Sequence, residues 1–397
     1  MAWVTPVVMV ETERIKVPVL MYHSISPEYD LIPAPGQSVR PEIFAAHLRI
    51  LEEHGYTTHT LSELCAHLTG EIPLTGKPVV ITFDDGYLDN YVFAFPLLER
   101  FGMKATIFVS EDFIDHAQEP RARVHGKSDP QAGAYLSWPE MREMVESGLV
   151  EIESHGKTHD LLPRTDRVVD YHRPGVRNPW LAWRLFPSEK WKWFRRKESE
   201  LGYGYPVFES GPALEAPAFV PDEGLVRRLV QCVEDGGGHD FFDRDGWRRE
   251  LDGIVDDYRM ECGGSIGHKE AEEDWRERVR RDLIDSRIRL SRGLGREVRF
   301  LAWPHDAYNA EIKTIALEEA GYRATSGGIH QNEPGADARG FSRIPAGEGL
   351  LGRRWRTVDL WLFQAQLRLF RGNHFYYPPA FFANRIRGLV HRVAPPG

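Results

Sequence analysis

Val79-Val80-Ile81-Thr82-Phe83-Asp84-Asp85-Gly86 is a run of apolar and β-branched residues that ends in two acids and a glycine. This pattern predicts a buried strand that leads directly into a turn. Strands that alternate with helices predict a parallel sheet, and six or more such units favour a barrel over an open sheet. No GxGxxG or GxxxxGK[ST] motif supports the doubly wound, nucleotide-binding alternative. Comparable strand patterns, separated by helical ones, occur at 17–22, 105–109, 150–153, 298–302 and 322–326.

Composition excludes several broad classes of protein. The 397 residues are 42% apolar and 27% charged, which is typical of a globular chain. The net charge of −9 argues against a nucleic-acid binder, for which a basic domain would be expected. The three cysteines are isolated and odd in number, so the sequence predicts neither a disulfide framework nor a CxxC zinc site.

Two observations bear on location. No apolar run approaches the 18 residues that a membrane span needs. Residues 1–10 are apolar, but they are few and lack the basic start of a signal peptide. We therefore expect a cytoplasmic protein, with an extracytoplasmic location as the alternative if a leader has been removed.

The adjacent acids Asp84 and Asp85 lie at the carboxyl end of a predicted buried strand. Two carboxylates in such a place are costly unless a positive charge, such as a cation, lies beside them. The competing interpretation is a turn in which one aspartate caps the next helix. The two acids alone do not decide between these interpretations.

A second polar cluster, Ser154-His155-Gly156-Lys157-Thr158-His159, follows the strand predicted at 150–153. Two histidines four residues apart can bind one metal if the turn between them is helical. The alternative is a pair of loop histidines, since the chain contains 16 histidines. Both clusters follow strands, and a barrel builds its active site at the carboxyl ends of its strands. One carboxylate and two imidazoles as ligands would leave one position of the metal open. Hydrolytic metal sites have such an open position, and the pKa of the water bound there falls to about 7. The other carboxylate could then serve as general base.

Four motifs, in order along the chain, resemble those of the polysaccharide deacetylases, carbohydrate esterase family four, also called the NodB homology domain. Residues 82–86 resemble the first motif, and residues 155–159 resemble its metal-binding HxxxH. Residues 19–25, Val-Leu-Met-Tyr-His-Ser-Ile, resemble the N-terminal signature of the branch that includes poly-N-acetylglucosamine deacetylases. Residues 300–309 resemble the third motif, which in that branch usually reads WPYGxYN.

The resemblance implies a distorted (β/α)7-type barrel that removes N-acetyl or related N-acyl groups from an amino sugar. Combined with the loss of strand and helix alternation between 161 and 271, it predicts four segments. These are the first part of the barrel (1–160), an insertion (161–271), the second part of the barrel (272–350) and a helical, basic, aromatic tail (351–397).

The resemblance also implies roles for individual residues. Asp84 would be the general base, and Asp85, His155 and His159 would bind a divalent metal. Zinc is expected there, with cobalt and nickel as alternatives. A backbone N–H after Pro304 would help to hold the oxyanion. Substrate-binding residues are expected at Tyr22, His23, Trp303, Pro304 and His305.

The chain departs from the family pattern at two positions and leaves the general acid open. His305 replaces the usual tyrosine, and Asp306 replaces the usual glycine. His330 is the nearest match to the histidine that acts as acid in the family, and His305 is the competing candidate. Arg343 is expected to orient the base.

The tail contains eight arginines, one acid and nine aromatic residues between 353 and 392. One interpretation is a helix packed on the barrel. The other is a peripheral membrane anchor, which residues 180–197 could extend, and a lipid-linked glycan would then be the substrate. Two further functions stay open, a catalytically silent sugar-binding protein on the same fold and a non-haem Fe(II) oxygenase, which also uses two histidines and a carboxylate.

Overall fold

The structure is a computed structural model that describes residues 16–27, 37–123, 134–327, 332–333, 337–349 and 355–372. In chain order, the strands are β1 (Val19–Tyr22), β2 (Ser24–Ile25), β3 (Ser38–Val39), β4 (Tyr56–His59), β5 (Lys77–Phe83), β6 (Ala105–Val109), β7 (Val150–Ser154), β8 (Leu161–Tyr171), β9 (Pro206–Pro212), β10 (Phe219–Pro221), β11 (Gly267–Lys269), β12 (Phe300–Leu301), β13 (Ala324–Ser326), β14 (Gly340–Phe341) and β15 (Ile344–Pro345). The α-helices are α1 (Pro41–Glu53), α2 (Leu61–Leu68), α3 (Phe95–Phe101), α4 (Trp138–Glu146), α5 (Pro179–Leu185), α6 (Glu223–Asp235), α7 (Trp247–Glu261), α8 (Glu272–Leu294), α9 (Ala310–Thr314) and α10 (Arg356–Phe370).

Nine strands form one parallel sheet, in which eight follow the order β14-β13-β12-β7-β6-β5-β1-β15 and β4 pairs with β5. The two outermost strands, β14 and β15, are separated in the chain only by Ser342 and Arg343. Two residues cannot cross a flat sheet of this width, so the sheet must curl until its two edges are close together. The expected distorted barrel is therefore confirmed.

The helices follow the predicted pattern, with local changes of helix type. Thr60 and Glu63 form a capping box at the start of α2, and at the start of α4 the side chain of Glu140 accepts a hydrogen bond from the backbone N–H of Ser137. A π-helical turn at Asn90–Ala94 precedes α3, and Pro96 then lies in the first turn of α3. Proline is tolerated in the first turn of an α-helix, so Pro96 is compatible with the start of α3.

The segment 161–271 has more regular structure than its sequence pattern indicated. It contains the antiparallel pairs β8–β9 and β10–β11 together with α5, α6 and α7. Apolar side chains from these elements form a core cluster of their own, which is separate from the clusters inside the barrel. Its buried members are Tyr171, Phe208, Phe219, Leu225, Leu229, Val233, Phe241, Leu251, Val255, Tyr258 and Ile266.

The described part of the tail packs on the barrel through α10. Phe363 is buried and stacks on the ring of His47 in α1, with 3.9 Å between ring centroids and 10° between planes. Leu367 belongs to the same core cluster as the barrel strands. The tail beyond residue 372 lies outside the described residues. Among the described residues, no helix combines the length and apolar character needed to cross a membrane.

Candidate active site

The parallel strands deliver the predicted polar residues to one end of the barrel. Asp84 directly follows β5, and His155 directly follows β7. The chain turns sharply after β5, because Asp85 and Gly86 both have left-handed backbones with φ of 70° and 69°. A side chain on Gly86 would approach Val109 Cγ2 at 3.0 Å, so the turn also depends on close packing.

Asp85, His155 and His159 form a cluster that can hold a metal ion. Asp85 Oδ1 lies 3.3 Å from Nε2 of His155 and 3.2 Å from Nε2 of His159, and these three ligand atoms lie within 4.8 Å of one another. Nδ1 of His155 lies 2.9 Å from the carbonyl oxygen of Ala302, which holds the ring with Nε2 directed at Asp85. Burial alone would raise the pKa of Asp85, but hydrogen bonds from the two histidines hold it well below its usual value.

The sequence analysis required a helical turn between the two histidines if both were to bind one metal. That expectation is wrong, because the turn is not helical although the two side chains converge. Gly156 and His159 instead adopt left-handed backbones, with φ of 73° and 51°. Asp282 in α8 holds the loop: its carboxylate accepts hydrogen bonds from the backbone N–H groups of Lys157 at 2.8 Å and Thr158 at 3.1 Å, and from the Thr158 hydroxyl at 2.7 Å. A contact between residues this far apart in the chain leaves no local sequence signal.

Asp84 lies beside this cluster and is paired with Arg343. One guanidinium nitrogen of Arg343 donates to both carboxylate oxygens of Asp84, at 2.6 and 2.8 Å, and another donates to Asp306 at 2.8 Å. Both Asp84 and Arg343 are buried. Burial raises the pKa of Asp84, but Arg343 and neighbouring histidines more than offset it, so the pKa lies below its ordinary value. The carboxylate is therefore ionised at neutral pH.

A cavity of about 370 Å³ opens over these residues. Of the predicted substrate-binding residues, His23, Trp303 and His305 line it. Pro304 is buried near Gly156 and is not among the described residues that line the cavity. Sequence reasoning missed most of the remaining wall, which consists of Met21, Gln37, Tyr87, Ser110, Phe113, Tyr135, Trp180, Trp183, Asp306 and Pro345.

The structure places Tyr22 in the core rather than in the cavity wall, contrary to its predicted role in substrate binding. Its ring packs against Phe44 and Phe83, and its hydroxyl lies 3.0 Å from Nδ1 of His47. Successive side chains of a strand point to opposite faces. Met21 and His23 line the cavity, so Tyr22 must face the other way.

His305 lies against a predicted metal ligand. Its ring centroid is 4.3 Å from that of His159, and its backbone is left-handed with φ of 60°. Burial, aided by the charge of His159, holds the pKa of His305 well below its usual value. Asp306 is also left-handed, with φ of 52°, at the position where the resembled family usually has glycine. His330 lies outside the described residues.

Part of the cavity wall comes from the segment 180–197, which we considered above as a membrane-binding surface. Trp180 and Trp183 line the cavity, and Trp193 donates a hydrogen bond of 3.1 Å to the hydroxyl of Tyr135. The aromatic side chains of this segment thus pack on the barrel and do not support membrane contact. Their number, four of the 11 tryptophans, was the only signal in the sequence.

Comparison with known proteins bears on the family and the fold. The sequence model of the family described as polysaccharide deacetylase matches residues 71–178, which include β5, β7 and both histidines of the cluster. The chain contains a polysaccharide deacetylase domain. The fold of this chain is similar to a solved structure of a de-N-acetylase from Aggregatibacter actinomycetemcomitans, with a TM-score of 0.52 and 17% identity over 83% of this chain and 94% of the other. That likeness concerns the fold alone.

Two curated relatives match shorter stretches of this chain. YxkH of Bacillus subtilis (strain 168), whose name describes it provisionally as a polysaccharide deacetylase, is 39% identical over 153 residues, which are 38% of this chain and 46% of YxkH. The poly-beta-1,6-N-acetyl-D-glucosamine N-deacetylase of Escherichia coli (strain K12) is 30% identical over 118 residues, which are 30% of this chain and 17% of that enzyme. The chain therefore spans less than half the length of these relatives.

Proposed function

We propose that this protein is a metal-dependent hydrolase that removes N-acetyl groups from an amino sugar in a polysaccharide or lipid-linked glycan. The observation that carries the proposal is the placement of Asp84, ionised and paired with Arg343, beside the cluster of Asp85, His155 and His159. The domain family and the name of the Escherichia coli relative support the same class of reaction.

The donor set fits a divalent transition metal. Two imidazole nitrogens and one carboxylate oxygen suit zinc, which we propose as the ion, and they also suit cobalt and nickel. In the neutral form of His155, the hydrogen bond that Nδ1 donates to the Ala302 carbonyl oxygen would leave Nε2 as the unprotonated nitrogen that a metal needs as ligand. A metal in this position would supply Lewis-acid activation of water and of the amide carbonyl.

The protein's own groups would manage the protons of the reaction. Asp84 would take a proton from the attacking water, and Arg343 would hold the carboxylate in place and keep it ionised. The backbone N–H of His305 would stabilise the developing oxyanion. As the C–N bond breaks, the leaving nitrogen must gain a proton. Because burial keeps the ring of His305 neutral at pH 7, we assign this step to His330.

The proposal is tested by acetate release from oligomers of β-1,6-linked N-acetylglucosamine, measured on the zinc-loaded protein and on Asp84→Asn. We expect the substitution to lower kcat by roughly 10²–10⁴, the usual contribution of a general base, with zinc binding retained. Asp89→Asn is the matched control, because Asp89 is also buried on this turn but bonds to Ser24 and the backbone of Ile25. No acetate release by the unaltered protein from any N-acetylated glycan would contradict the proposed function. Release unaffected by Asp84→Asn would contradict the role of the base.

A further inference from the structure

The insertion reaches the active-site cavity through α5. Trp183, on this helix, is 3% exposed and meets the ring of Phe113 edge-on at 4.7 Å. Trp180, one turn earlier, packs edge-on against Trp183 at 4.6 Å and also lines the cavity. Trp183 therefore acts as a buried support that fixes the position and tilt of Trp180.

Trp180 lies next to the reacting centre without touching the predicted metal ligands. Its ring centroid is 5.5 Å from that of His305, whose ring centroid is in turn 4.3 Å from that of His159, with the two imidazole planes tilted by 53°. The side chain is only half-buried, so part of the indole is open. A flat aromatic surface at the wall of a cavity is suited to the apolar C–H face of a sugar ring.

The charges of the cavity favour a neutral sugar. Within the described ranges, its lining includes the carboxylates of Asp84, Asp85 and Asp306 and no lysine or arginine. Asp84 is neutralised by Arg343, and Asp85 faces the two histidines, but the Asp306 side chain is 61% exposed. Outside the metal cluster, the described part of the wall therefore offers the exposed carboxylate of Asp306 and no lysine or arginine to pair with a carboxylate or phosphate on the substrate.

We propose that Trp180 is the stacking platform for a neutral N-acetylated sugar residue, which makes the insertion a determinant of substrate specificity. The inference rests on the proposed function for the identity of the sugar, and on the cavity for the contact itself. Trp180 takes no part in bond breaking. Its loss should weaken binding of the glycan and leave the chemical step nearly unchanged.

The test compares Trp180→Ala, Trp180→Tyr and a matched control, Trp191→Ala. Trp191 lies in the same segment, is also half-buried and packs on a histidine, His116, but it does not line the cavity. With β-1,6-linked N-acetylglucosamine oligomers, we expect Trp180→Ala to raise KM about tenfold with kcat changed less than about twofold. Trp180→Tyr should recover most of the loss, because it restores an aromatic face, and Trp191→Ala should have no effect.

A second measurement separates this inference from the proposed function. Calorimetric titration of the same oligomers into proteins that also carry Asp84→Asn reports binding without turnover. A tenfold weaker Kd for Trp180→Ala supports the platform even if the unaltered protein releases no acetate, in which case only the proposed function fails. Unchanged Kd and KM in Trp180→Ala, an equal loss in Trp191→Ala, no binding of the oligomers, or equally tight binding of anionic hyaluronan oligomers would each overturn the inference.

Discussion

The barrel and the insertion both contribute to the active site, but by different physical routes. The barrel supplies Asp84, Asp85 and His155 at the ends of parallel strands, where the register of the sheet fixes their positions. The insertion supplies Trp180, whose ring packs at the cavity wall, and Lys190, which bonds to the residues that flank His159. The proposed base and metal ligands thus belong to the barrel, whereas the shape of the cavity also depends on residues 180–197 of the insertion.

Lys190 is the strongest link between the two regions. Its ammonium group has no exposed surface and lies 2.8 Å from both the backbone oxygen of Thr158 and Oδ1 of Asp160. Asp112 lies 3.5 Å away. Thr158 and Asp160 flank His159 in sequence, so the insertion helps to hold a predicted metal ligand.

Lys190→Met should have the largest effect on stability. It leaves the carboxylate of Asp160, whose side chain is only 16% exposed, without its partner, and loss of one member of a buried ion pair costs about 3–5 kcal/mol. We expect a matching fall in the free energy of unfolding, together with weaker zinc binding, measured by denaturant titration and calorimetry. Lys192→Met is the control, because Lys192 lies in the same segment with a partly exposed partner, Glu189. Unchanged zinc affinity in Lys190→Met would show that the two regions are not coupled.

Leu229→Ala should separate the outer part of the insertion from the site. Leu229 is fully buried in the insertion's own core cluster, and a substitution of this kind usually costs about 2–5 kcal/mol. We expect the free energy of unfolding of the insertion to fall while zinc affinity stays the same, because this cluster shares no side chain with the cavity wall. Hydrogen exchange and zinc titration would measure the two quantities. A loss of zinc affinity as large as that in Lys190→Met would mean that the whole insertion, and not one segment of it, supports the site.

Asp306→Ala, a substitution in the barrel, should have the smallest effect of the three, and the affected quantity is kcat. Asp306 accepts a hydrogen bond from the guanidinium nitrogen of Arg343 that does not bond to Asp84, but its side chain is 61% exposed. An exposed ion pair contributes about 0.2–1 kcal/mol, so kcat should fall by no more than about fivefold with KM unchanged. The kcat of Asp306→Asn, which keeps an oxygen acceptor, should lie between that of Asp306→Ala and that of the unaltered protein. A loss as large as that of Asp84→Asn would mean that Asp306 itself takes part in proton transfer.

Local sequence patterns predicted the barrel half of the site because strands and their ends have short-range signals. Asp84 and His155 each follow an apolar run, and parallel strands bring such positions to one end of a sheet. The alternation of side chains along a strand explains why the prediction of Tyr22 as a substrate-binding residue was wrong. Met21 and His23 face the cavity, so the residue between them cannot.

The remaining parts of the site depend on contacts between residues that are distant in the chain. Asp282 shapes the loop between the two histidines from more than 120 positions away, and Trp180 reaches the cavity only after the insertion has packed on the barrel. No local period or spacing encodes either contact. The division of the chain into four segments and the role of His330 stay predictions.

The most direct test is a titration of the metal-free protein with zinc, in which acetate release and bound zinc are measured on the same samples. Acetate release from β-1,6-linked N-acetylglucosamine oligomers should rise with zinc and stop rising at about one ion per chain, because the described residues offer one cluster of an acid and two histidines at the cavity. Asp85→Ala should bind zinc weakly and release little acetate at the same zinc concentrations. Full acetate release without zinc, or in Asp85→Ala at equal zinc, would contradict a hydrolase built on Asp84, Asp85, His155 and His159.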